Sequence, residues 1–253
     1  LGINAKSLGV IDLELYAPEE VSISVAIRTT LGVTTYRGIS TSVIIRHLTT
    51  RDATMEFTHR RTVQITSCLL LALALTQALY TALYIAGLTP PRQLLWGLES
   101  LLFTFLAAFA GAAMVQANHY RVGWSAIAIS AVFNLVQVSI GLTMFGPFRE
   151  AASQLEALGP ATGAVVALSF MIYYAAKLLL GFAALIVGMA KMTEGSKALG
   201  SVTALVGVVA MLANAMLMAF GRDAFLPSPV AGGSGVLATL LLGLCLMSAE
   251  RED

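Results

Sequence analysis

Six apolar runs with few or no charges occupy the chain after Thr62, at about 62–87, 93–117, 123–146, 162–190, 198–220 and 231–248. Each holds 18 residues or more, and about 20 helical residues rising 1.5 Å each cross the hydrocarbon of a bilayer. A barrel strand alternates in polarity and is roughly half as long, so runs this continuously apolar suit only helices. The composition agrees: of 253 residues, 57% are hydrophobic and 11% charged, where a soluble domain carries about 25% charge. The expected fold is an all-α membrane protein, a six-helix transmembrane bundle with short loops over residues 55–253.

The links between runs are brief. Thr89-Pro90-Pro91-Arg92, Asn118-His119-Tyr120-Arg121 and Thr193-Glu194-Gly195-Ser196 leave room only for antiparallel neighbours. The stretch from Phe148 to Gly159 is longer and reads as a short surface helix. Gly232-Gly233-Ser234-Gly235, behind Pro227 and Pro229, reads as a flexible lead-in to the last span. Trp96, Tyr120 and Trp124 fall at span ends, where an aromatic belt would sit.

Residues 1–54 differ from the rest. Val21, Ile23, Val25 and Ile27 alternate with Ser22, Ser24, Ala26 and Arg28, the period-two pattern of a strand. Gly32 and Gly38 punctuate further extended pieces at 33–36 and 39–48. This N-terminal extension reads as β-prone or disordered. A second reading is that it is not part of the native protein. Met55-Glu-Phe-Thr-His-Arg-Arg places a start and basic residues just ahead of the first span, as bacterial inner-membrane proteins often begin.

Basic residues near span ends set the expected orientation. With the start of the first span cytoplasmic, the inner side holds Arg60, Arg61, Arg121, Lys191, Lys197 and Arg251, against Arg92, Arg149 and Arg222 outside. That bias puts both termini in the cytoplasm of a bacterial cell.

Several chemistries find no footing. Fifteen basic against 14 acidic residues leave a net charge of +1, so no nucleic-acid partner is expected. Cys68 and Cys245 have no metal or redox spacing. His47, His59 and His119 lie outside the apolar cores, and no phosphate-loop or hydrolase motif is present. No cofactor and no metal are expected, and without a nucleophile–base pair an enzyme ranks last among the functions considered.

One residue stands out. Lys177 lies in the fourth run, with 20 uncharged residues back to Glu156 and 13 forward to Lys191. A lysine at the bilayer centre costs about 2.5–3.5 kcal/mol on insertion scales, so it must face protein or water. Ser169, Tyr173, Lys177, Gly181 and Gly188 share one stripe of that helix. Glu99 in the second run is the natural counter-charge. It lies about eight residues nearer the outer edge than Lys177, a depth difference of roughly 12 Å. A direct salt bridge then requires tilted helices, whereas a bridge through an intermediate group does not.

Uncharged polar residues gather at similar depths: Gln77, Tyr80, Thr81 and Tyr84 on the first span, and Ser130, Asn134, Gln137 and Gly141 on the third. Gly200, Gly207, Asn214 and Gly221 recur every seven residues on the fifth, and Gly235, Thr239 and Gly243 line the sixth. Each alone is ordinary helix glue. Together, Lys177, Glu99, Tyr173, Asn134, Gln137 and Gln77 are the expected lining of a midplane solute or ion pathway. Two functions follow. One is a small transporter or channel in which Lys177 binds a small anion or relays protons. The other is a non-catalytic accessory or assembly subunit whose small-residue faces pack on a partner membrane protein or a second copy. A faint echo at a spacing of 77 pairs Phe105, Gly111 and Gly123 with Phe182, Gly188 and Gly200.

Overall fold

The computed structural model describes residues 58–221 and 226–249, together with 28–29 and 32–33. The chain divides into two units, Leu1–Glu56 and Phe57–Asp253. In the first, β1 (Arg28–Thr29) pairs antiparallel with β2 (Gly32–Val33). Gly32, expected as punctuation, is itself a paired residue opposite Thr29. Most of the alternating strand and the 39–48 segment lie outside the described residues.

The second unit is helical. Its elements are α1 (His59–Ile85), α2 (Arg92–Gln116), α3 (Arg121–Thr143), α4 (Phe145–Gln154), a 3-10 turn (Glu156–Leu158), α5 (Gly159–Thr193), α6 (Lys197–Phe220) and α7 (Ser228–Ala249). Among the described residues six segments are long and apolar enough to cross a membrane; α3 and α4 together make the third, Arg121–Gln154, and the turn and α5 the fourth, Glu156–Thr193. The expected six-helix bundle is what the chain forms, and α4 is the expected short helix between spans.

Local chemistry explains the boundaries. Thr58 caps α1, its hydroxyl accepting from the Arg61 N–H at 3.4 Å. Pro90 and Pro91 precede α2, and Pro160 sits in the first turn of α5, where a missing N–H costs nothing. Gly195 turns the chain between α5 and α6 at φ 107°, a conformation that a side chain would strain.

The α5–α6 pair is the most extensively packed. Gly181 faces Gly207 and Gly188 faces Gly200: a Cβ on Gly207 would lie 2.6 Å from the Gly181 carbonyl oxygen, and one on Gly200 would lie 2.6 Å from that of Gly188. The seven-residue glycine spacing of α6 is thus met by its counterpart on α5. Gly111, the echo partner of Gly188, has nothing within 4 Å of a built Cβ. The two halves of the sequence echo do different jobs.

Five helices close a ring. α1 packs on α2, α2 on α3, α3 on α5, α5 on α7 and α7 back on α1, with α6 flanking α5 and α7 from outside. The glycine-rich start of the last span is not a flexible lead-in, because α7 is helical from Ser228 and carries Gly232 to Gly235 within it. Trp96 and Trp124 also depart from expectation. Trp124 is buried and edges against His59, with ring centroids 6.3 Å apart. Trp96 packs inward on Gly141 of α3, Tyr80 of α1 and Phe145 of α4. Tyr120 alone of the three is exposed, at the turn before α3.

Candidate functional site

Lys177 is fully buried on α5 and donates from Nζ to Oε1 of Gln77 on α1 at 2.5 Å. The backbones of α1 and α5 are not packed against each other, so this bond crosses the interior of the five-helix ring. The ammonium also lies 5.3 Å from the centroid of the Tyr173 ring, one turn away on α5. Room for the aliphatic stem comes from α7, where a Cβ on Gly235 would approach Lys177 Cδ to 2.8 Å. One turn outward, a Cβ on Gly232 would lie 3.3 Å from the Tyr173 hydroxyl. The two glycines form a bare backbone track over which both side chains lie.

The stripe Ser169–Tyr173–Lys177–Gly181–Gly188 does not face a single neighbour. Steps of four residues advance about 40° around a 3.6-residue helix, so the stripe winds across α5. Ser169 meets Gln137 of α3, Tyr173 and Lys177 meet α7 and α1, and Gly181 and Gly188 meet α6.

Glu99 on α2 is buried and lies in the electrostatic range of Lys177. No ion pair within 4.0 Å joins the two charges, as the depth difference anticipates. The hydrogen-bond partner of Lys177 is Gln77, whose Oε1 accepts from the ammonium. Oε1 of Glu99 is left without a partner.

On α3, Ser130 donates to the Ala176 carbonyl of α5 at 2.9 Å, and Asn134 donates to the Ser130 carbonyl at 2.9 Å. The fully buried Asn134 thereby keeps its Oδ1 unpartnered. Gln137 pairs elsewhere, its amide 3.5 Å from the Ser169 hydroxyl. Of the six sequence candidates, the structure joins Lys177, Gln77 and Tyr173 directly. It sets Glu99 in electrostatic range, bonds Asn134 to Ser130 within α3, and bonds Gln137 across the α3–α5 seam to Ser169 and not to Lys177.

Energetics say that Lys177 needs more than Gln77. An interhelical hydrogen bond averages about 0.6 kcal/mol and reaches about 1.7, against a burial cost of about 2.5–3.5 kcal/mol. A desolvated cation–π contact adds about 2 kcal/mol. The Glu99 charge acts in the same direction.

Comparisons with protein-family models, with curated proteins and with solved structures find no match to this chain. No relative adds a ligand or a role to these residues.

Near one end of the ring, one turn before Glu99 on α2, Trp96 forms an aromatic plug between neighbouring helices. The Trp96 ring fits the surface left by Gly141, stacks at 5.5 Å on Tyr80 and meets Phe145 edge-on at 6.1 Å. The Arg92 guanidinium lies 5.3 Å from the Trp96 centroid and 5.9 Å from that of Phe145. Sequence reading missed this plug, because only the fold places Trp96 across three neighbours. A cavity of about 570 Å³ lies elsewhere, between the first half of α5 and the end of α6, lined by Phe170, Met171, Tyr174, Leu217 and Met218 among others. Lys177 is not among its walls.

Proposed function

We propose that this multi-pass membrane protein is a small-solute or ion transporter or channel, with the Lys177 cluster as its midplane site. The observation that carries this reading is the buried Lys177 of α5 bonded to Gln77 of α1 across the ring, with Glu99 of α2 in electrostatic range and its buried Oε1 unpartnered. Buried polar atoms are nearly always satisfied, and exceptions mark sites with work to do or a missing ligand. The accessory-subunit reading relies on free small-residue faces. Gly181, Gly188, Gly200 and Gly207 are spent on the α5–α6 contact, and Gly235 on Lys177. Residues 55–253 are the functional unit in this proposal, set in a bacterial cytoplasmic membrane with both termini inside.

Flux through sealed proteoliposomes tests it, using the full chain and a panel of small inorganic ions. Transport that Lys177→Met abolishes without lowering the melting temperature supports the reading. Flux that the substitution leaves intact, or no flux above empty vesicles for any ion, overturns it.

A further inference from the structure

We infer that the Lys177 position is a site for a small monovalent cation, an alkali-metal ion or ammonium, which enters in exchange for the lysine's own proton. This rests on the reading of the ring interior as an ion pathway and names its cargo. The sequence alone pointed to an anion or a proton.

The lining decides the sign. Around Nζ lie Oε1 of Gln77 and the face of Tyr173, with Glu99 in electrostatic range. Oε1 of Glu99, which has no partner, is an acceptor as well. Carbonyl and carboxylate oxygens suit hard cations, and an aromatic face attracts positive charge. An anion at Lys177 would have to displace the Gln77 carbonyl and then sit among electron-rich groups. Chemically this is a cation site already filled by a tethered primary ammonium, a compact charge with three donors.

Exchange follows from charge. Two cations beside one carboxylate in a low-dielectric interior repel strongly, so an incoming ion displaces a proton. The ammonium releases H⁺ to water, its nitrogen keeps the lone pair as a neutral amine, and the metal ion or ammonium takes the vacated charge. One positive charge enters and one leaves. The groups facing Lys177 are few. α2 brings Glu99 and α5 brings Tyr173, whereas α1 brings the uncharged Gln77, α3 the uncharged Ser130 at the adjoining Ala176 carbonyl, and α7 the backbone of Gly235. On α6, Gly207 and Met211 lie against Gly181, and no charged side chain lies among them.

The test uses purified full-length chain in detergent, with binding read by melting temperature and by proton release into weak buffer. Sodium, potassium and ammonium chlorides are compared with N-methylglucamine chloride at equal ionic strength, and chloride with nitrate on the bulky cation. The expected result is stabilisation by at least one small cation and release of one proton per ion bound. The half-saturating concentration then rises about tenfold for each pH unit lowered. Lys177→Met should bind the cation without releasing a proton, and Glu99→Gln should bind it more weakly. Stabilisation that follows the anion, or no difference between small and bulky cations in the wild-type chain, overturns the inference. Cation binding without flux in vesicles would remove the transport function alone, while anion flux without cation binding would remove only this assignment.

Discussion

Lys177 and Gln77 lie a hundred positions apart on helices that do not pack together, and a 2.5 Å hydrogen bond between their side chains spans the interior of the ring. Removing the acceptor leaves a buried ammonium with less to offset its desolvation. Gln77→Leu is expected to lower stability by about 1–3 kcal/mol, the cost of orphaning a buried polar group. Gln77→Glu should keep the fold, since it supplies an acceptor with a charge. Denaturation curves in detergent check both.

Gly235 is where α7 yields to the lysine stem. Gly235→Ala puts a methyl 2.8 Å from Lys177 Cδ and is expected to cost about 1–3 kcal/mol. Gly233→Ala meets nothing within 4 Å and should gain slightly from helix propensity. In a double-mutant cycle, Lys177→Ala should relieve most of the Gly235→Ala penalty. Additive losses would refute the contact.

The α5–α6 seam tolerates no side chain at its glycines. Gly207→Val is expected to force the helices apart, because the obstructing atoms are the backbone of Gly181 and Leu185 at 2.6 and 2.7 Å. Loss of folded protein on size exclusion is the readout. Gly111→Val on α2, with open space at its Cβ, is the matched control and should purify normally.

Trp96 packs one turn before the buried Glu99 on α2. Trp96→Ala is expected to speed modification of Glu99 by a carbodiimide several-fold, followed by intact mass, with Glu99→Gln as the blank. An unchanged rate would mean that the plug does not limit access.

The two thiols differ in surroundings. Cys68 is exposed on the lipid-facing surface of α1, while Cys245 is fully buried and 3.1 Å from the Thr203 hydroxyl. A lipid-soluble maleimide should label one thiol per chain in the folded state and two after denaturation. Mass after proteolysis assigns the labelled site to Cys68.

Much of this was legible from one dimension because the bilayer imposes it. A helix must satisfy its backbone internally, so a run of apolar residues of the right length reads as a span without knowledge of its neighbours. The six spans, the short helix near Phe148 and the isolation of Lys177 all follow from that local rule. Even the lack of a direct Glu99–Lys177 salt bridge could be anticipated, since depth is residue count times rise.

What only the tertiary structure decided is which faces meet. Hydrophobicity carries little directional information inside a membrane, where lipid and core are equally apolar, and contact is set by shape and hydrogen bonding instead. Hence the glycines before the last span looked like slack but form the track beneath Tyr173 and Lys177. Trp96 looked like an interfacial anchor but wedges against Gly141. Gln137 and Gln77 looked equivalent until one bonded to Ser169 and the other to Lys177. Helix rotation separates such cases: each residue turns the side chain by about 100°, so the partner of a polar group depends on packing that no single helix contains.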